Sequence, residues 1–148
     1  MTFKVSFLKA LDISASGLTA QRMRMDIIAE NIANIDTTRT AAGGPYRRRV
    51  AALAQKQPAF ADYLQDAQNA TAGNGVVVSQ IVTDMSDFKY DYDPTNPDAN
   101  AEGYVAYPNV DEAQEMIDMM GATRSFEANV TALNATKSMA LKALEIGK

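Results

Sequence analysis

Two apolar repeats at opposite ends of the chain constrain the fold more than any other feature. Leu11, Leu18, Met25 and Ile32 recur every seven residues, and Ile28 and Ile35 fill the intermediate position in the later heptads. No Pro interrupts residues 3–35, and Gly17 is the one weak helix former there. A helix over 3–35 would extend roughly 50 Å and would have no core of its own. A second helix is predicted over 111–146. Met119, Phe126, Leu133 and Ala140 form one heptad series, and Met116, Val130 and Leu144 lie on another, whose remaining positions are Thr123 and Lys137. Asp111 and Glu112 suit a helix start, Asn109 or Asp111 supplies the N-cap, and Gly147 follows the last apolar residue.

The sequence between these helices has a different character. Residues 46–53 and 76–82 are expected as strands, the second rich in Val and Ile, and 103–107 as a short one. Residues 54–75 are rich in Gln, Asn and Ala and end in a Gly-Asn-Gly turn; 91–102 are polar, hold two Pro and read as a loop. The predicted fold class is mainly α with a small β-rich insert. The long terminal helices pair as an antiparallel hairpin resembling a coiled coil. The expected division is 1–38 (N-terminal helix), 39–108 (insert) and 109–148 (C-terminal helix), with the two end zones forming one helical domain. Each apolar seam must be covered, in part by the other helix and in part by neighbouring subunits. A self-contained hairpin carrying a β-flap satisfies the same periodicity, so the pattern alone does not decide assembly.

Composition removes most chemistry. The chain has 148 residues with no Cys, His or Trp, which excludes disulfides, His/Cys zinc sites and His-dependent catalytic triads. With 14 basic and 18 acidic residues, and Arg47 to Arg49 as the one basic run, there is no stripe for nucleic acid. Lys4 and Lys9 break the apolar N-terminus, which is not read as a secretory signal, and no stretch of about 18 apolar residues is present to span a bilayer. Asp91, Asp93 and Glu102 fall at positions 1, 3 and 12 of a calcium loop, but Asn96 occupies the position that needs Gly, so no metal is assigned. Their carboxylates are expected to meet solvent or the Arg47 to Arg49 run. The methionines read as adaptable core packing. Asn34 reads as a helix C-cap and Asn31 as a contact to a neighbouring subunit. Gly17 marks either the close approach of another helix or a kink.

Particular motifs go further. Residues 14–21 (Ser-Ala-Ser-Gly-Leu-Thr-Ala-Gln) and 28–37 (Ile-Ala-Glu-Asn-Ile-Ala-Asn-Ile-Asp-Thr) resemble the N-terminal signature of the flagellar rod and hook proteins, the axial family. Residues 122–130 (Ala-Thr-Arg-Ser-Phe-Glu-Ala-Asn-Val) resemble its C-terminal signature. Residues 43–49, 92–100 and 103–111 are similar to segments that characterise its proximal-rod members, and only 55–74 match nothing. The resemblance implies a structural subunit without cofactor, catalytic residue or small-molecule substrate. Its implied partners are other copies of itself, other rod subunits, a ring-to-rod adaptor and, in transit, the type III export apparatus. The implied location is the basal-body rod on the periplasmic side, reached without a cleaved signal. The implied assembly interface comprises Leu11, Leu18, Met25, Ile28, Asn31, Ile32, Ile35, Met119, Phe126, Val130, Leu133 and Leu144. A wall-cleaving hydrolase using the acidic loop, and an adaptor that binds axial subunits without entering the tube, are the competing readings.

Overall fold

The computed structural model describes the backbone of residues 2–57 and 74–146. In chain order the elements are α1 (Thr2–Ala33), β1 (Arg49–Gln55), β2 (Val76–Thr83), β3 (Lys89–Tyr92), β4 (Tyr104–Tyr107) and α2 (Glu112–Ile146). Two long terminal helices thus bracket a small β insert, as the periodicity requires. Most of the Gln-, Asn- and Ala-rich stretch, and Gly147, lie outside the described residues.

Both inner helix ends are closed by side chains. At the end of α1, Asn34 donates Nδ2–H to the Glu30 carbonyl at 2.8 Å, and its Oδ1 accepts from the Thr37 hydroxyl. The Glu30 carbonyl thus accepts from both the side chain and the backbone N–H of Asn34, which fixes the last turn. At the start of α2, Asp111 is the N-cap: its Oδ1 accepts the Gln114 N–H at 3.2 Å. Glu112 and Glu115 follow in the first turn, where the helix dipole favours negative charge. Asn109, the other expected cap, instead accepts the Arg48 N–H and donates to the Asp84 carbonyl and the Ser86 hydroxyl.

The strands form two separate pairs, β1 with β2 and β3 with β4. β1 starts later than expected, at Arg49 rather than Tyr46, because Tyr46 and Arg48 are engaged in a polar cluster described below. β3 corrects the loop expected over 91–102: Asp91 and Tyr92 lie in a strand, antiparallel to β4, with Asp91 opposite Val105 and Tyr92 opposite Tyr104. All four β3 residues are exposed, so the strand carries no apolar alternation to read. It is held by the ladder and by the Tyr92 ring, edge-on to Tyr104 at 5.3 Å. Gly103 turns the chain at φ 84°, and a Cβ there would stand 2.9 Å from the Tyr92 ring.

The contacts divide the chain into two compact units. The first takes α1 up to Met23, α2 from Ala122 and the intervening ends of β1 and β2. Here Ala20 and Ala122 are buried, and α1 and α2 meet closely: a Cβ on Gly17 would lie 3.1 Å from the Asn129 amide. Helix α1 is continuous through Gly17, and what approaches the glycine is the Asn129 side chain, not the backbone of a neighbouring helix. The second unit comprises Arg24–Ala52 and Gln80–Gly121. Its core is Ile27, Ile28, Val105 and Val110 together with two polar residues, Asn31 and Glu115. The methionines depart from expectation: Met23, Met85, Met116, Met120 and Met139 are exposed, not core.

Candidate assembly site

Asn31 stands in a run of apolar helix positions, where a bare amide would be costly to bury. Every hydrogen-bonding position of its side chain is used. Nδ2 donates to the Arg49 carbonyl at 2.8 Å and to Glu115 Oε2 at 3.0 Å. Oδ1 accepts from the Tyr46 hydroxyl at 2.9 Å and from the Arg49 N–H at 3.0 Å. An amide side chain has two donors and two acceptor lone pairs, so it is saturated. Asn31 is 1% exposed, which gives it an internal role in place of the expected contact to a neighbour.

Glu115 is 0% exposed and needs a cation as well as an amide. Arg48 supplies it, with Nε 2.6 Å from Glu115 Oε1. The same guanidinium reaches Asp118 at 3.4 Å and Asp84 at 3.9 Å, while Arg24 pairs with the other Asp118 oxygen at 3.2 Å. Burial, and then the nearby Glu30 carboxylate, push the Tyr46 phenol above its usual range, which keeps it a hydrogen-bond donor. The Ser86 backbone N–H, followed by its hydroxyl and then Arg48, holds the Asp84 carboxyl below its usual range. Within this unit the cluster ties α1, α2 and the chain segment entering β1.

The Arg run therefore does not meet the acidic loop. Arg48 turns to α2, Arg49 pairs with Glu30 at 2.7 Å, and the Arg47 guanidinium lies 4.0 Å from the Phe88 ring centre. From the loop, Asp98 accepts from Thr38 at 2.8 Å and lies 3.8 Å from Arg39. Asp93 is occupied by the Thr95 N–H and hydroxyl, which lower its carboxyl pKa.

Residues outside the apolar heptads also enter the helix contact. On α1, Gly17, Arg24 and Asn31, a heptad series of small and polar residues, touch α2. Leu18, Met25 and Ile32 are one residue further on, about 100° around the helix, and together with Leu11 and Ile35 they are half-buried. Ile28 is buried within the chain. On α2 the covered positions alternate by four and three: Glu115, Met119, Ala122, Phe126, Asn129, Leu133, Thr136, Ala140. The series Met119, Phe126, Leu133 is half-buried. Its companion is the 115–122–129–136 series, not the one containing Met116, Val130 and Leu144. Val130 is half-buried, Met116 is exposed and Leu144 is 70% exposed. Hydrophobic spacing could not reveal a seam series made of Glu, Ala, Asn and Thr. The amide at Asn31, embedded in apolar positions, was the one visible signal.

Comparison with known proteins places these features. The family described as "Flagella basal body rod protein" matches residues 11–39, and that described as "Flagellar basal body rod FlgEFG protein C-terminal" matches residues 101–146. The flagellar basal-body rod protein FlgC of Bacillus subtilis is 56% identical over 145 residues, which cover 94% of this chain and 97% of that protein. The chain belongs to the FlgC family of flagellar basal-body rod proteins. FlgC of Borreliella burgdorferi is 43% identical over 93% of this chain, and FlgC of Escherichia coli is 41% identical over 97% of it. The first match falls on α1 and the turn after it, and the second on β4 and α2. The first includes Gly17, Arg24 and Asn31, and the second includes Glu115, Asp118 and Asn129. In this FlgC-family chain the polar inter-helix contacts are thus contained in the matched segments.

Proposed function

We propose that the chain is a structural subunit of the flagellar basal-body rod that assembles through outward faces of its terminal helices and transmits torque as part of the proximal drive shaft. Membership of the FlgC family supports the rod assignment. The observation that carries the mode of assembly is the division of labour on the helices. Small and polar residues join the buried isoleucines in the contacts within the chain, and several apolar residues of α2 are left open. Met116, Ile117 and Met120 are more than half exposed on α2, as are Met139, Leu141 and Leu144 further along it. Apolar surface of this kind marks protein contact sites, and covering it contributes roughly 25 cal/mol per Å² before ordering costs. The contact order within the second unit, Arg24 with Asp118 and Asn31 with Glu115, supports an antiparallel, coiled-coil-like pairing of the terminal zones 1–38 and 109–148, with 39–108 as the insert. Partners are other copies of this chain, other rod subunits and a ring-to-rod adaptor, with the type III export apparatus in transit. The location is the rod on the periplasmic side.

The test uses an open residue, so that the chain's own fold is spared. Met120→Asp is expected to leave the helix content and unfolding midpoint of the isolated protein unchanged. It should abolish recovery of the chain in purified basal bodies, because a charge desolvated in a closed interface has no partner. Normal incorporation of this variant would refute assembly through that face.

A further inference from the structure

An amphipathic helix pair ordinarily buries its most apolar stripes against each other. In the second unit α1 buries Ile27 and Ile28 but leaves other apolar positions partly open. Arg24 and Asn31 face α2, while Met25 and Ile32, one residue along and about 100° around the helix, remain half-open. A roll by that amount would cover Met25 and Ile32 and uncover Ile27, so burial of apolar surface does not by itself exclude it.

The polar cluster does exclude it. Asn31 is bonded at all four positions, to Tyr46, to Glu115 and twice to the Arg49 backbone. Glu115 is fully buried between Asn31 and Arg48. Rolling α1 by one residue would carry the Asn31 amide away from all four partners at once and leave the Glu115 oxygen facing an apolar side chain. Buried polar groups with fixed partners specify one register among many that apolar packing alone would tolerate.

We propose that Asn31, Arg48 and Glu115 form a rotational lock, the residues that decide which face of α1 the chain keeps for itself and which it leaves for another subunit. The lock rests on the assembly reading for its purpose, but its action is a property of the single chain. Removing it in favour of apolar side chains lets the helices settle with their apolar stripes together, giving a chain that is folded and self-satisfied.

The test exploits the absence of Cys from the natural sequence. An Ile32→Cys reporter is placed in the otherwise unchanged full-length chain and in the Asn31→Leu/Arg48→Met/Glu115→Leu background. The reaction rate with a small thiol reagent is then measured on the isolated protein, alongside helix content and unfolding midpoint. The lock predicts that the apolar background keeps its helix content and its midpoint while the reporter thiol reacts about tenfold more slowly, as its side is turned inward. A rate within about twofold of the parent overturns the proposal. Should the apolar background fail to fold, Asn31→Leu alone decides, since it removes all four bonds of the amide at similar size. A fall of about threefold in reporter rate supports the lock, and an equal or faster rate overturns it. No rod is needed for these measurements, so their failure leaves assembly standing, whereas normal incorporation of Met120→Asp would leave the lock standing.

Discussion

Replacing Arg48 by Met isolates the electrostatic part of the polar cluster, because the Met side chain retains most of the aliphatic stem. In the native chain the guanidinium lies 2.6 Å from Glu115, 3.4 Å from Asp118 and 3.9 Å from Asp84. Glu115 is inaccessible to water, so Arg48→Met leaves it buried with only the Asn31 amide for company. Breaking one partner of a buried pair costs about 3–5 kcal/mol. Arg48 itself is 23% exposed on its side chain, and water can relieve part of the loss, which points to the lower end, about 3 kcal/mol. That is a large share of the roughly 5–15 kcal/mol of a typical domain. Urea unfolding followed by circular dichroism should show the midpoint falling with little change in slope. Two companions sharpen the result. Arg48→Met/Glu115→Gln should recover more than half of the loss, since the stranded charge is gone. Arg39→Met, which removes an 80% exposed cation 3.8 Å from Asp98, should cost under about 0.5 kcal/mol. A loss below about 1 kcal/mol for Arg48→Met, or no recovery on adding Glu115→Gln, would refute the view that Glu115 depends on Arg48.

Two further expectations concern other parts of the same helices. Gly17→Ala should gain about 1 kcal/mol of helix propensity and lose a similar amount by displacing the Asn129 amide, leaving stability near neutral; adding Asn129→Ala should release the gain, and a destabilised double variant in urea unfolding would contradict the contact. The Tyr46 phenol, raised by burial and by Glu30, should add stability that is fully present below about pH 10, the ordinary phenol value, and that is lost as pH rises through its raised folded value. Unfolding midpoints measured across that alkaline range should fall more steeply for the natural chain than for Tyr46→Phe, and equal slopes would exclude the effect.

The helices were legible because their heptads are long and uninterrupted, and the expected zones 3–35 and 111–146 agree with α1 and α2 to within two residues. Which face does the pairing was not legible. Leu18 and Met25 outrank Gly17 and Arg24 on any hydrophobic scale, yet Gly17 and Arg24 make the contacts, because a glycine admits a side chain and an arginine finds Asp118. β3 escaped notice for a related reason. Lys89, Tyr90, Asp91 and Tyr92 are all exposed, and what holds them is a partner strand at Tyr104–Tyr107. Asp111 could be read as a cap from its place before a run of helix formers, whereas nothing in the local pattern singles out Glu115, one turn later. Its burial depends on Arg48, a distant residue that no local pattern connects to it.

The span of these contacts along the chain has a consequence for how the protein acquires its structure. Asn31 and Glu115 are 84 residues apart, and Arg24 and Asp118 are 94 apart. Contacts this distant close large loops, and chains rich in them organise slowly and late. A chain that emerges N-terminus first presents Asn31, Tyr46 and Arg49 long before Glu115 arrives, and in that interval the amide has three of its four partners but not its link to α2. α1 consequently has no second helix to pack against until α2 is in hand. A polypeptide whose ordering waits on its last segment remains threadable for most of its length, and it sets into shape only once nearly all of it has reached the same place.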